Sequence, residues 1–182
     1  MCGIFGYFNN RKQPLSSQQL NQMGQSIYHR GPDDYGHYND EISAVGLGNQ
    51  RLAIIDIEHG QQPFFSEDRS IVVVQNGEIF NHVELAIELA ADGYGCQTHC
   101  DTEVILKLYE RDGIEGISKL NGMFAIAIYD KPAGALYLIR DRIGEKPLYY
   151  HYDNDLLLFA SEIKSILQVS SPHKVNHDAL NQ

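Results

Sequence analysis

The chain is poor in cysteine, in basic residues and in long apolar runs, and each shortage excludes a class of protein. Three cysteines among 182 residues are an odd number and imply no disulfide framework. Fourteen basic residues against 24 acidic ones leave a net charge of −10, which argues against a nucleic-acid partner. The longest apolar runs, residues 71–74 and 123–129, are too short to cross a membrane. No basic segment precedes the first apolar residues, so we expect a cytoplasmic location and no secretory signal.

The signatures of several enzyme classes are also missing. The sequence contains no G-x-S-x-G, no Walker motif and no G-x-G-x-x-G. Its composition is that of a globular protein, with 43% hydrophobic and 21% charged residues. Its length suits one domain spanning residues 1–182. Residues 175–182 resemble the first turn of another helix, so we expect a further domain to follow in a longer protein.

Local patterns predict three helices among several strands. Ser16 begins a capping-box pattern before the first helix. Asn81 is predicted to cap the second helix and Asp101 the third, which ends at Gly113. Segment 29–36 is typical of a loop. Strands are predicted within the apolar runs, which are residues 3–8, 44–57, 71–75, 123–130, 135–140, 147–152 and 156–160.

The run at residues 123–129 predicts the fold class. Its sequence Met-Phe-Ala-Ile-Ala-Ile-Tyr does not alternate with polar residues, so both faces of that strand have to be covered. A second sheet on one face and helices on the other would cover them. Short connections at residues 131–134 and 153–155 favour antiparallel hairpins. We therefore expect an α+β fold, a four-layer α-β-β-α sandwich of two mainly antiparallel sheets flanked by helices.

Cys2 is the first candidate for chemistry. Removal of Met1, which is usual before a small side chain, would make Cys2 the terminal residue. A terminal α-amine has an ordinary pKa near ~8, so much of it can act as a base at neutral pH. One residue would then carry both the nucleophile and its base. The alternative is a small buried cysteine at the start of a strand.

Asn76 and Gly77 allow two interpretations. An Asn-Gly pair after a strand is usually a turn. The alternative is an oxyanion hole, in which an asparagine amide and a glycine N–H converge on one developing negative oxygen. Glycine also lets the backbone approach a substrate closely.

Three charged residues are candidates for holding a substrate. Arg51 stands at the polar start of an apolar run and could bind a carboxylate bidentately, or else form a surface ion pair. Glu78 and Asp101 could each accept from a substrate ammonium, and the alternatives are a solvated carboxylate and a helix N-cap. Residues 96–100 carry two cysteines and one histidine but no second ligand pair, so we expect no metal site.

Eight motifs in order give the chain a resemblance to a known family. The amino terminus reads Met-Cys-Gly-Ile-Phe-Gly, and Asn-Gly-Glu-Ile-Phe-Asn begins at Asn76. Together the matching segments cover nearly the whole chain and are residues 1–6, 29–34, 50–56, 76–81, 101–104, 121–125, 140–149 and 160–164. The chain resembles the glutaminase domain of glutamine-dependent asparagine synthetases, among the class II, amino-terminal-nucleophile amidotransferases.

The resemblance implies a fold and a role for particular residues. The fold is the four-layer sandwich of the N-terminal-nucleophile hydrolases. Cys2 would be the nucleophile, and Asn76 with Gly77 the oxyanion hole. The remaining residues would bind glutamine. Arg51 would bind its α-carboxylate, and Glu78 and Asp101 its ammonium and neighbouring groups. A strand would form one wall of the site and offer backbone hydrogen bonds to glutamine; its residues are Leu52, Ala53, Ile54 and Ile55.

The resemblance also implies a reaction. The thiolate would attack the glutamine amide, ammonia would leave, and water would release glutamate from a thioester. The ammonia would pass to a missing C-terminal synthetase domain, where ATP and Mg²⁺ activate aspartate; the present domain would need no cofactor. A homodimer is compatible with it. Cys100 and Phe80 stand where serine and tyrosine are common, and neither change should abolish hydrolysis.

Two other functions stay open at this point. One is the glutaminase domain of a different amidotransferase, serving an amino-sugar, purine or peptide-like acceptor. The other is a non-catalytic interaction module that has kept the fold.

Overall fold

Two antiparallel sheets form the centre of the molecule, for which a computed structural model describes residues 2–170. The strands are β1 (Gly3–Asn9), β2 (Asp34–Asp40), β3 (Val45–Arg51), β4 (Phe64–Phe65), β5 (Ile71–Ile79), β6 (Gly122–Asp130), β7 (Ala135–Arg140), β8 (Tyr149–Asp153) and β9 (Leu156–Ala160). The α-helices are α1 (Ser17–Ser26), α2 (His82–Ala91), α3 (Asp101–Asp112) and the short α4 (Ile163–Ile166), with 3-10 turns at Tyr28–Arg30 and Gly113–Lys119.

The order of the strands places the start of the chain in the middle of one sheet. The first sheet runs β2-β3-β1-β9-β8, so β1 lies between β3 and β9. The second sheet runs β4-β5-β6-β7. The two-residue strand β4 pairs only with Val72 and Val73, so no strand of residues 2–170 pairs with the later part of β5 on that side.

Three apolar layers separate the sheets and helices. The layer between the two sheets is built by Ile4, Val45, Leu47, Val72, Val74, Ala125, Ala127, Tyr129 and Phe159. The outer face of the first sheet packs on α1 and α4 through residues that include Phe5, Tyr7, Leu20, Met23, Leu158 and Ile166. The outer face of the second sheet packs on α2 and α3 through residues that include Val73, Leu89, Ile105, Leu108, Ile126 and Ile128. The predicted α-β-β-α sandwich is confirmed.

The helix signals agree with the structure at most positions. The capping box at Ser16 is present, with the Gln19 N–H donating to Ser16 Oγ at 3.2 Å. Asn81 precedes α2, although its side chain bonds residues near β6 instead of the helix. Gly113 ends α3 with a φ of 64°, a conformation that glycine adopts without strain. The predicted N-cap of α3 is wrong by one residue, because Asp101 is the first helical residue and Cys100 precedes it.

Several strand predictions need correction. Segment 29–36 is not entirely loop, because Asp34–Asp40 forms β2 against β3. The predicted strand over Leu52–Ile55 is absent, since β3 ends at Arg51. The turn interpretation of Asn76-Gly77 is wrong, because β5 continues through both residues in register with β6. The helix predicted from residue 175 lies outside the described residues. No helix within residues 2–170 is long and apolar enough to cross a membrane.

Candidate active site

The Cys2 thiol is held at the head of β1 by its neighbours. Its Sγ accepts from the Leu52 N–H at 3.4 Å and lies 3.6 Å from the Leu52 carbonyl oxygen. The Cys2 carbonyl accepts from Arg30 Nε at 2.9 Å. Because β1 is flanked by β3 and β9, the residue that precedes it has a fixed position beside the loop that follows Arg51.

A group of charged residues supports Arg30 from behind. Glu162 accepts from Arg30 Nη1 at 3.0 Å and forms an ion pair with Lys164 at 3.1 Å. His29 Nε2 lies 2.9 Å from the same carboxylate. Burial raises the pKa of Glu162, but Arg30, Lys164 and His29 outweigh it and bring the pKa to about 2. The carboxylate therefore stays charged and keeps Arg30 in place at neutral pH.

Asn76 supplies a donor that has no acceptor within residues 2–170. Its side chain is 1% exposed, and its Nδ2 makes no hydrogen bond. Side chains alternate along a strand, so Asn76 points to the same face as Val72 and Val74, which lie in the layer between the sheets. A buried amide without a partner is unfavourable, so its retention points to a ligand.

Gly77 supplies a second donor at the adjacent position. Phe124, its partner on β6, directs both its N–H and its carbonyl to Asp141, at 3.2 and 2.9 Å. Gly77 and Phe124 are therefore a non-hydrogen-bonded pair, and the Gly77 N–H points away from β6. On that side the N–H of Gln75 bonds Gln62 and the N–H of Ile79 bonds Asp101.

The Gly77 N–H thus lies between two occupied donors and faces the cleft. A larger residue would disturb the pairing of β5 with β6, because a Cβ at Gly77 would lie 2.6 Å from Phe124 Cα. The Asn76 amide and the Gly77 N–H have the chemistry of an oxyanion hole.

A single cleft collects most of the predicted site residues. Those that line it are Cys2, Arg51, Leu52, Ile54, Ile55, Asn76, Gly77, Glu78 and Asp101. Ala53 does not line it, and its N–H donates instead to Asp33 at 3.0 Å. Local sequence patterns missed further lining residues, which are Gly60, Gln62, Gln75, Cys100, Thr102, Met123 and Lys146.

Arg51 is buried and shapes one wall of the cleft. Its guanidinium donates to the carbonyls of Ile55, Asp56 and Ile57 at 3.0, 2.7 and 3.2 Å. These bonds hold the loop after β3 in a curve around the guanidinium. Its predicted role as the partner of a substrate carboxylate stays a prediction.

Two carboxylates face the cleft and differ in the hydrogen bonds that they already make. Asp101 Oδ2 accepts from the Ile79 N–H at 2.9 Å and from Gln75 Nε2 at 3.1 Å. Within residues 2–170, its Oδ1 has only the weak Cys100 thiol donor, at 3.8 Å. The Glu78 carboxylate makes no hydrogen bond with any group in residues 2–170. Both carboxylates can therefore accept further hydrogen bonds from a cationic ligand.

Lys146 reaches the cleft because the loop after β7 folds back. The Lys146 N–H donates to Asp141 at 3.1 Å, and the Lys146 carbonyl accepts from Arg140 Nε at 2.6 Å. Burial raises the pKa of Asp141, but four backbone N–H donors outweigh it and lower the pKa below its usual range. The family resemblance covers this segment but assigns Lys146 no role, and its position depends on a turn held by the carboxylate of Asp141, which lies five residues earlier.

Cys100 is a second thiol in the cleft. Burial raises its pKa to about 11, with the adjacent Asp101 adding to the effect, so the thiol is neutral near pH 7. It therefore lacks the character of a nucleophile. Across residues 2–170 no three histidine, cysteine or acidic side chains form a group able to hold a metal ion.

Known sequences and structures match the chain over nearly all of its length. A sequence model of the glutamine amidotransferase domain matches residues 1–182. "Asparagine synthetase [glutamine-hydrolyzing] 1" of Bacillus subtilis is 46% identical in an alignment of 187 positions that covers 100% of this chain and 29% of that protein. "Putative asparagine synthetase [glutamine-hydrolyzing] 2" of Methanocaldococcus jannaschii is 40% identical, covering 99% of this chain and 38% of that protein.

The chain thus spans about a third of the length of these relatives. Among solved structures, the glutamine phosphoribosylpyrophosphate amidotransferase of B. subtilis aligns with a TM-score of 0.74 at 23% identity, over 92% of this chain and 43% of that one. That similarity confirms the fold. The architecture, the cleft and the match over the full length lead to one conclusion, that this chain belongs to the glutamine amidotransferase domain family.

Proposed function

We propose that the chain hydrolyses glutamine to glutamate and ammonia through a thioester on Cys2. One observation carries the proposal: the Cys2 thiol, just before the first strand of the first sheet, and the Asn76 amide of the second sheet, whose Nδ2 has no partner in residues 2–170, line the same cleft. A nucleophile opposite two unused hydrogen-bond donors is the arrangement that acyl transfer requires.

The steps follow from these groups. The free α-amine of a terminal Cys2 takes the thiol proton, and the thiolate attacks the side-chain amide carbon of glutamine. The carbonyl oxygen becomes an oxyanion that accepts from Asn76 Nδ2 and the Gly77 N–H. Its collapse breaks the C–N bond, and the amine returns the proton to the leaving ammonia. Water then attacks the thioester, glutamate leaves and the thiol is restored.

The other wall of the cleft recognises the amino-acid end of the substrate. Arg51, together with the backbone of residues 52–55, would hold the α-carboxylate. Glu78 and Asp101 would accept from the α-ammonium. Because a buried charge without a partner is strongly unfavourable, an amide that lacks either group binds weakly.

The names of the relatives support a further step. They are asparagine synthetases described as glutamine-hydrolysing, and they extend well beyond the matched part. We propose that a C-terminal synthetase domain receives the ammonia and uses ATP and Mg²⁺ to make asparagine from aspartate in the cytoplasm. Glutamine and that domain are then the partners of this chain.

Cys2→Ala tests the nucleophile. Hydrolysis should be abolished because a thioester needs sulfur, whereas the melting temperature should hardly change, because the thiol makes only weak contacts with Leu52. Ammonia release from glutamine measures the first and thermal unfolding the second. In a full-length protein, synthesis from added ammonia should survive the change. Near-normal hydrolysis by Cys2→Ala would refute the assignment.

An uncleavable tag before Cys2 tests the base. The amide nitrogen of a peptide bond is not basic, so the tagged protein should lose hydrolysis even with every side chain intact. The control is the same tag with a protease site that leaves Cys2 terminal after cleavage. Equal rates before and after cleavage would require a base on a side chain instead.

A further inference from the structure

Gln75 lies beside the oxyanion donors but faces the other way. Strand alternation turns it to the same face as Val73, toward the start of α3, and it is 1% exposed. Its Nε2 donates to Asp101 Oδ2 at 3.1 Å, and its Oε1 accepts from Thr102 Oγ1 at 2.8 Å. The proposed mechanism gives this buried amide no part in bond making.

A closed set of hydrogen bonds fixes the orientation of the amide. Thr102 Oγ1 accepts from Gln62 Nε2 at 3.3 Å, and Gln62 Oε1 accepts from the Gln75 N–H at 2.6 Å. The Thr102 hydroxyl therefore directs its hydrogen to Gln75 Oε1. Rotation of the Gln75 amide by half a turn would bring its oxygen against the Asp101 carboxylate, which is repulsive. The donor end of the amide is consequently held toward Asp101.

The hydrogen bond from Gln75 Nε2 determines which Asp101 oxygen faces the cleft. Two groups donate to Asp101 Oδ2: the backbone N–H of Ile79 and Nε2 of the Gln75 side chain. The orientation of that side chain is itself fixed by the hydrogen bonds described above. Two donors on one oxygen restrict rotation of the carboxylate, and charge-assisted bonds of this kind are the stronger ones. Oδ1 is left beside the weak Cys100 donor for a ligand.

We propose that Gln75 is a positioning residue for substrate selection, which acts by aiming Asp101 Oδ1 at the α-ammonium of glutamine. This inference rests on the proposed function, in which Asp101 binds that ammonium. It assigns the buried network of Gln62, Gln75 and Thr102 to amino-acid recognition, whereas the neighbouring Asn76 serves the reaction itself. An amide without an α-ammonium should gain nothing from Gln75.

Binding measurements separate this role from a structural one. In the Cys2→Ala protein, which cannot turn substrate over, calorimetry would compare L-glutamine with glutaramate, the same amide without the amino group. Gln75→Met keeps the volume but removes the donor, so we expect the Kd for glutamine to rise about tenfold, the usual loss for a hydrogen bond to a charged group. The Kd for glutaramate should stay within about twofold, since no ammonium is present to need Asp101.

Gln50→Met is a matched control. Gln50 is also 1% exposed and donates its Nε2 to the Gly24 carbonyl at 3.1 Å, on the first sheet and facing α1. Because the Gln50 Oε1 has no partner in residues 2–170, Gln50→Met should cost less stability than Gln75→Met, and it should not separate the two ligands. In an Asp101→Asn background, Gln75→Met should add no further loss for glutamine. Thr102→Val, which removes the hydroxyl that bonds both Gln75 Oε1 and Gln62 Nε2, should weaken glutamine binding in the same selective way and serves if Gln75→Met does not fold.

Equal weakening of both ligands by Gln75→Met, or no weakening of either, would overturn the inference. The proposed function fails separately, when the protein with Cys2 intact binds glutamine but releases no ammonia. Failure to bind glutamine at all would overturn both.

Discussion

Replacement of Asn76 should separate activity from stability. Asn76→Ala removes one of two oxyanion donors, and loss of one such donor lowers kcat by roughly 10²–10³, about 2.7–4 kcal/mol. The same change removes a buried amide nitrogen that has no partner in residues 2–170. An unpaired buried donor destabilises a fold by ~1–3 kcal/mol, so its removal offsets the packing lost with the carboxamide. We expect the free energy of unfolding to change by less than about 1 kcal/mol.

Steady-state ammonia release and denaturant unfolding measure the two effects. Asn9→Ala is the control, because Asn9 is also buried, at 7% exposure, but its Nδ2 donates to the Gln13 carbonyl and its Oδ1 accepts from the Arg11 N–H, each at 2.9 Å. Loss of these satisfied bonds should destabilise the protein by ~1–3 kcal/mol. The reasoning fails if Asn76→Ala changes KM alone, or if it lowers stability as much as Asn9→Ala does.

Two further predictions concern residues around the cleft. Arg51→Lys keeps the charge but loses the planar fork that bonds three carbonyls, so the KM for glutamine should rise about tenfold. Arg51→Ala should raise the KM further and also lower kcat, because the glutamine amide would no longer be held beside the thiol. A change in kcat alone would contradict the proposed role of Arg51. The pKa of Glu162 is about 2 in the folded protein against an ordinary 4.5, so its contribution to stability is complete above pH 4.5 and is lost as the pH falls toward 2. Unfolding free energies between those pH values should decline less in Glu162→Gln, and parallel declines in the two proteins would refute the coupling.

Local sequence patterns predict those elements whose structure depends on residues that are close together in the chain. The Ser16 capping box and the wholly apolar run at residues 123–129 each specify their structure within a few positions. Strand β2, Asp34–Asp40, was not predicted because it lies at a sheet edge and carries no apolar alternation. Its strand structure comes from pairing with β3, which is a tertiary effect.

The residues of the site also divide into those with a local sequence signal and those without one. Cys2, Asn76 and Asp101 carry recognisable chemistry and lie together in the cleft, as the motifs predicted. The pair Asn76-Gly77 reads locally as a turn, yet the β6 ladder keeps both residues extended. Gln75 and Lys146 carry no recognisable active-site chemistry in the sequence, and hydrogen bonds to Asp101 and Asp141, respectively, hold them at the cleft.

The two halves of the proposed chemistry lie on different sheets. Cys2 directly precedes the first sheet and the oxyanion donors lie on the second, and the layer that contains Ile4, Val74 and Phe159 sets the space between them. A folding intermediate with one complete sheet would contain intact motifs and yet be inert. Recovery of hydrolysis during refolding would therefore mark the moment at which the sheets dock, and would lag behind any signal from secondary structure. Hydrolysis would therefore report on the spacing between the two sheets.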